Sequence, residues 1–188
     1  MNSLLSEINN CTICKDFIDP RPVVKASVNS KIIIIGQAPG TKVHASGIPW
    51  DDASGKQLRK WLGVTDKQFY DPELFGIIPM GFCYPGKGKS GDLPPRKECA
   101  PKWHQVLFDE MKSVELILLI GMYAQRYYLK DKAKRTLTET VNHFEDYLPN
   151  YFTLPHPSPR NRFWLTKNPW FEDYVVPELK RKIGVFLS

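Results

Sequence analysis

No stretch of this chain is long and apolar enough to cross a bilayer. Its longest apolar run, around Leu116 to Ile120, is far short of a span. Met1 to Ile8 lack the basic start and apolar core of a secretory signal, so a cytoplasmic location and no membrane partner are expected. There is no internal repeat and no low-complexity linker, so one domain over residues 1–188 is expected. No glycine loop carries the Walker lysine and serine or the Rossmann spacing, which argues against an α/β enzyme acting on small nucleotides. Cysteine is scarce, with four residues, and disulfides are not expected in a reducing compartment.

What is present fits a globular protein with an anionic partner. Hydrophobic residues make up 42% of the 188, enough for a sizeable core. The net charge of +6 suits a polyanion, although solvated lysines would give the same balance. The 16 prolines cluster at 79–101 and 149–169, which points to shaped loops rather than linkers.

Continuous apolar runs read as strands buried on both faces: KIIIIG at 31–36, FGIIPMGF at 75–82, VELILLIG at 114–121 and NYFTLP at 150–155. Helical spacing lies between them. Leu58, Trp61 and Leu62 follow Ser54, and Trp103, Val106, Leu107 and Met111 follow Pro101. A short helix is expected over Met122 to Leu129, and another through Leu137, Val141, Phe144 and Leu148. The last helix begins near Asn168 and should be kinked or split at Pro177. The alternation predicts an α/β/α fold: a mostly parallel four-stranded sheet with helices on both faces. Ligands in such folds sit beyond the carboxyl ends of the strands. That rule singles out GQAPG after the first strand, CYPGKG after the second and HPSPRN after the fourth.

Cys11 and Cys14 form a C-x-x-C, and Cys83 and Cys99 flank YPGKGKSGDLPPRKE. Four thiolates can complete a tetrahedral zinc site or hold a [4Fe-4S] cluster, and spacing alone does not choose between them.

Taken together, GQAPG at 36–40, SGIPWDDASG at 46–55 and HPSPRN at 156–161 resemble the motifs of the uracil-DNA glycosylase superfamily. The cysteine layout resembles its iron–sulfur branch, families four and five. The resemblance implies a monofunctional repair enzyme, expected as a monomer. It would flip a uracil-like, deaminated base from DNA and hydrolyse its N-glycosidic bond, leaving an abasic site.

The resemblance also implies roles for particular residues. Asp52, before Ala53-Ser54-Gly55, matches the catalytic aspartate of family five. Asp51 is the alternative, and helix capping is another job open to Asp52. His156 matches the histidine that faces the base carbonyl. Gly36, Gln37, Ala38, Pro39 and Gly40 would form the pocket floor. Trp50 would stack on the base, unless it is an ordinary core tryptophan, and Asn161 would contribute to base binding. Ser158, Pro159 and Arg160 would press on the DNA, with Arg162, Lys167 and Lys87 as candidate phosphate contacts.

Two departures stand out. Many members carry an asparagine in the second strand, where this chain has Pro79 and Met80. Family four has a glutamate where Gln37 stands. Uracil, hypoxanthine and xanthine therefore all remain open as the target base. A non-enzymatic, metal-stapled DNA-binding module is the alternative reading, and it would leave Asp52 and His156 without a task.

Overall fold

The computed structural model describes residues 1–187. In chain order its regular elements are α1 (Asn2–Asn9), β1 (Ile32–Ile35), α2 (Thr41–Ser46), α3 (Ala53–Leu62), α4 (Asp66–Phe69), β2 (Phe75–Ile77), β3 (Lys87–Gly88), β4 (Gly91–Asp92), α5 (Cys99–Glu110), β5 (Leu116–Ile120), α6 (Met122–Leu129), α7 (Leu137–Asn142), β6 (Tyr151–Leu154), α8 (Arg162–Lys167) and α9 (Val176–Leu187). Four strands form a wholly parallel sheet in the order β2-β1-β5-β6, and β3 and β4 form a separate hairpin.

The sheet is central because its strands are apolar on both faces, save Thr153 of β6, whose buried hydroxyl donates to the Thr140 carbonyl at 3.0 Å. All residues of β1 are buried, and they alternate between two cores. Ile32 and Ile34 pack with Leu58, Trp61, Val141 and Leu179, from α3, α7 and α9. Ile33 and Ile35 pack with Ile8, Trp103, Leu107 and Ala124, from α1, α5 and α6. The expected α/β/α layering is therefore present. On the buried end of β5 and β6, the Gln125 amide donates to the carbonyls of Leu119 and Leu154, at 3.3 and 2.9 Å. It satisfies strand ends that water cannot reach.

Three expected elements differ in extent. The second strand stops at Ile77 because Pro79 lacks an N–H. Beyond it the chain still follows the first loop, with Met80 N–H donating to Gly36 O at 2.9 Å and Gly81 N–H to Gln37 O at 3.0 Å. The helix expected through Leu148 ends at Asn142, and a 3-10 turn over Phe144–Tyr147 replaces its second half. The last helix is split as expected, though not at Pro177 itself. A π-helical segment, Phe171–Val175, leads into α9, where Pro177 lies in the first turn and needs no N–H partner.

Candidate active site

Beyond the carboxyl ends of β1, β2 and β6 lies a cavity of about 250 Å³. The loop after β1 supplies its floor through Gly36, Gln37, Ala38, Pro39 and Gly40. Gln37 also donates to the Leu93 carbonyl at 3.4 Å, which ties that floor to the segment between Cys83 and Cys99.

Asp52 and Trp50 reach the cavity from the start of α3. Asp52 is the N-cap of that helix, with Oδ1 accepting from Gly55 N–H at 2.8 Å. One oxygen thus relieves an orphan donor while the carboxylate still lines the cavity. Asp51 is exposed and forms no part of the wall. Trp50 has φ 57°, in the left-handed region. The strained backbone turns its ring towards the cavity, 5.7 Å from the His156 ring at an interplanar angle of 33°. The side-chain-free Gly36 lies beneath the Trp50 ring, and Gly55 lies against its carbonyl. Arg59, itself paired with Asp66 at 2.7 Å, also reaches the Trp50 carbonyl, at 3.4 Å.

His156 forms the opposite wall. Burial holds its pKa below the ordinary histidine range, while the charges of Asp52 and Asp92 pull the other way. The imidazole is therefore neutral near pH 7, with one N–H. No protein group among the described residues hydrogen-bonds either ring nitrogen. The Asn161 amide donates to the His156 carbonyl at 2.7 Å. Asn161 thus braces the histidine loop from behind and is not among the residues lining the cavity.

Residues 24–180 match the family model described as the uracil DNA glycosylase superfamily. The chain belongs to that superfamily. It is placed among DNA-repair glycosylases, hydrolases that act on DNA, and the cavity sits where the fold positions ligands. Among the described residues no helix is long and apolar enough to cross a membrane.

The remaining residues that the superfamily motifs single out fall into two groups. Ser158 and Arg160 line the cavity mouth, and Ser158 Oγ accepts from Arg160 N–H at 3.2 Å. Pro159 is exposed beside them. Arg162 and Lys167 lie on α8, outside the cavity, with Lys167 Nζ 4.4 Å above the Phe163 ring. Lys87 is exposed on the β3–β4 hairpin. That hairpin also brings Asp92 into the cavity wall, a position the motifs do not mark. Its only trace in the sequence is KSGD, a turn between glycines inside the cysteine-flanked segment.

Cys11, Cys14, Cys83 and Cys99 all line one small hollow, closed by Pro20, Pro22, Phe82 and Trp103. All four are free thiols. Burial pushes Cys83 up to about 12 and Cys99 to about 11, and raises Cys14 as well. Among the described residues no three His, Cys, Asp or Glu side chains are grouped tightly enough for one metal ion. The superfamily match begins after Cys11 and Cys14, so it does not cover the first pair.

Proposed function

We propose that the chain excises a deaminated base from DNA and leaves an abasic site. The observation that carries this is the meeting of Asp52, His156 and the Trp50 ring in one cavity at the carboxyl edge of the sheet. Breaking an N-glycosidic bond puts positive charge on the sugar and negative charge on the base. Asp52 supplies an anion near the sugar, or a base for the attacking water. Its second task as a helix cap fixes its direction. Neutral His156 donates its N–H to the base carbonyl as charge arrives there. A preorganised donor of this kind is worth about 3–4 kcal/mol. Trp50 stacks on the extruded base, and the +6 charge draws in the duplex.

The cysteine hollow is part of this reading. Four soft donors face one apolar space, yet no three close on a single point. Such a set suits a [4Fe-4S] cluster better than one zinc ion, because a cubane spreads its ligands around a wider body. When bound, the cluster would staple the chain after α1 to both ends of the 83–99 segment, a structural service.

Duplexes carrying uracil, hypoxanthine, xanthine or thymine opposite guanine, scored for abasic sites, test the activity. Excision of at least one deaminated base is expected. Tight binding with no abasic product from any of them would leave the DNA-binding module as the better reading.

A further inference from the structure

A pocket that reads a base edge needs an acceptor as well as a donor. The place where many superfamily members carry asparagine offers no side-chain amide here, and its Pro79 carbonyl already accepts from His104 at 3.1 Å. Pro79 has no N–H, and the N–H groups of Met80 and Gly81 are already bonded to Gly36 O and Gln37 O. The hairpin does supply a side-chain acceptor. Asp92 Oδ1 accepts from the Tyr84 hydroxyl at 3.3 Å. Its Oδ2 lies 3.6 Å from where a Cβ on Gly40 would stand, so the carboxylate hangs over the cavity floor. No cation pairs with it among the described residues. Arg160 packs over the Gly91 backbone instead.

We propose that Asp92 is the specificity residue of this cavity. It accepts the ring N–H of a lactam base while His156 donates to the neighbouring carbonyl. This rests on the reading of the cavity as a base pocket. An ionised carboxylate only accepts, so it reports on one property of the ring nitrogen. Uracil, hypoxanthine and xanthine all present N–H beside a carbonyl. Cytosine and adenine present a bare nitrogen there, which places acceptor against acceptor. Deamination converts the second edge into the first, so one side chain serves several lesions. Guanine and thymine share the lactam edge, and their exclusion falls to the cost of extruding a well-paired base. Asp92 is exposed, so water screens its repulsion of the departing base anion.

The test uses duplexes whose target deoxyuridine carries a 2′-fluoro group that blocks cleavage, with and without an N3-methyl group. The full-length protein should bind the N3–H probe about 10- to 100-fold more tightly, as a hydrogen bond to a charged group allows. Asp92→Ala should bring that ratio close to one, chiefly by weakening the N3–H probe. Asp92→Asn, which can still accept through its amide oxygen, should fall between. Equal loss on both probes would mean that the hairpin merely supports the fold, and an unchanged ratio would mean that Asp92 reads nothing; either overturns the proposal, as does a wild-type protein that does not separate the probes. Because neither probe is cut, N–H selectivity in a protein that excises nothing would sink the glycosylase reading and leave the role of Asp92 standing.

Discussion

The cavity and the cysteine hollow are both partly dehydrated, and burial favours the neutral form of an ionisable group in each, yet the groups around them differ. In the cavity, burial lowers the pKa of His156 while Asp52 and Asp92 oppose the shift. Helix capping, an exposed hairpin and an open mouth keep those charges near water. In the hollow, prolines, Phe82 and Trp103 line the space, and burial raises the thiols although backbone hydrogen bonds from Arg21 and Phe82 and the Arg96 side chain pull the other way. The first arrangement keeps charge available for a reaction. The second gathers four soft donors around one apolar space. The two pockets are linked by the chain from Cys83 to Cys99, which carries Asp92 to one and its two end thiols to the other.

The sharpest way to break this contrast is Asp52→Asn. It keeps the shape and removes the charge. Excision should fall about 10²–10⁴-fold, with DNA binding nearly intact. Full activity in this variant, measured in single-turnover assays, would remove the chemical role from the cavity's central carboxylate.

Cys99→Ser probes the other pocket. Anaerobically purified wild type should be brown and contain iron. The variant should lose iron and melt about 10 °C lower, as the loss of about 3 kcal/mol implies for a domain of this size. Colourless wild type with one zinc would keep the shared site and change its occupant. Wild type with no metal would sink the cluster.

His104 bridges the regions, and its protonation measures how dry the space between them is. It lies buried beside Phe82, with Nε2–H donating to the Pro79 carbonyl at 3.1 Å and Nδ1 accepting from the Tyr128 hydroxyl. Burial lowers its pKa to about 4 from the ordinary 6.5. The folded state therefore keeps it neutral while the unfolded chain takes up a proton below pH 6.5. Stability present above that pH is lost as the pH falls towards 4, by about 3 kcal/mol from this residue. In urea titrations at several pH values, His104→Gln should be less stable at pH 7 but show a shallower acid limb. An equally steep limb would assign acid sensitivity to other groups.

The smallest expected effect is at the cavity mouth. Arg160→Ala should weaken binding similarly across sequences and reduce the salt slope by about one. Loss confined to one lesion would mean that Arg160 reads the base.

The layering was legible because β1, β5 and β6 are unbroken apolar runs, and the cavity's place because two strand-end loops, GQAPG and HPSPRN, line it. Strand and helix lengths were less so. Pro79 ended β2 early, and the helix expected through Leu148 gave way after Asn142 to a tighter turn, although its apolar spacing continued. Asp92 leaves only a turn in the sequence, because a two-residue strand has no periodicity to read. Asn161 sits in a motif that implies a base contact, and the fold adds what the motif does not show, a bond from its amide to the His156 carbonyl.

Trp50 carries a consequence for how this protein can vary. A left-handed backbone costs a non-glycine residue about 1–2 kcal/mol, so its surroundings must hold it there. A Cβ on Gly36 would come within 2.8 Å of its ring, and one on Gly55 within 1.7 Å of its carbonyl oxygen. The three positions are therefore not independent letters. Any replacement at Gly55 meets backbone, and so is closed until Trp50 itself has moved. Gly36 meets only a ring, so a smaller residue at position 50 opens it first. A lineage can cross this part of sequence space by changing the tryptophan before the floor glycine, and hardly in the reverse order.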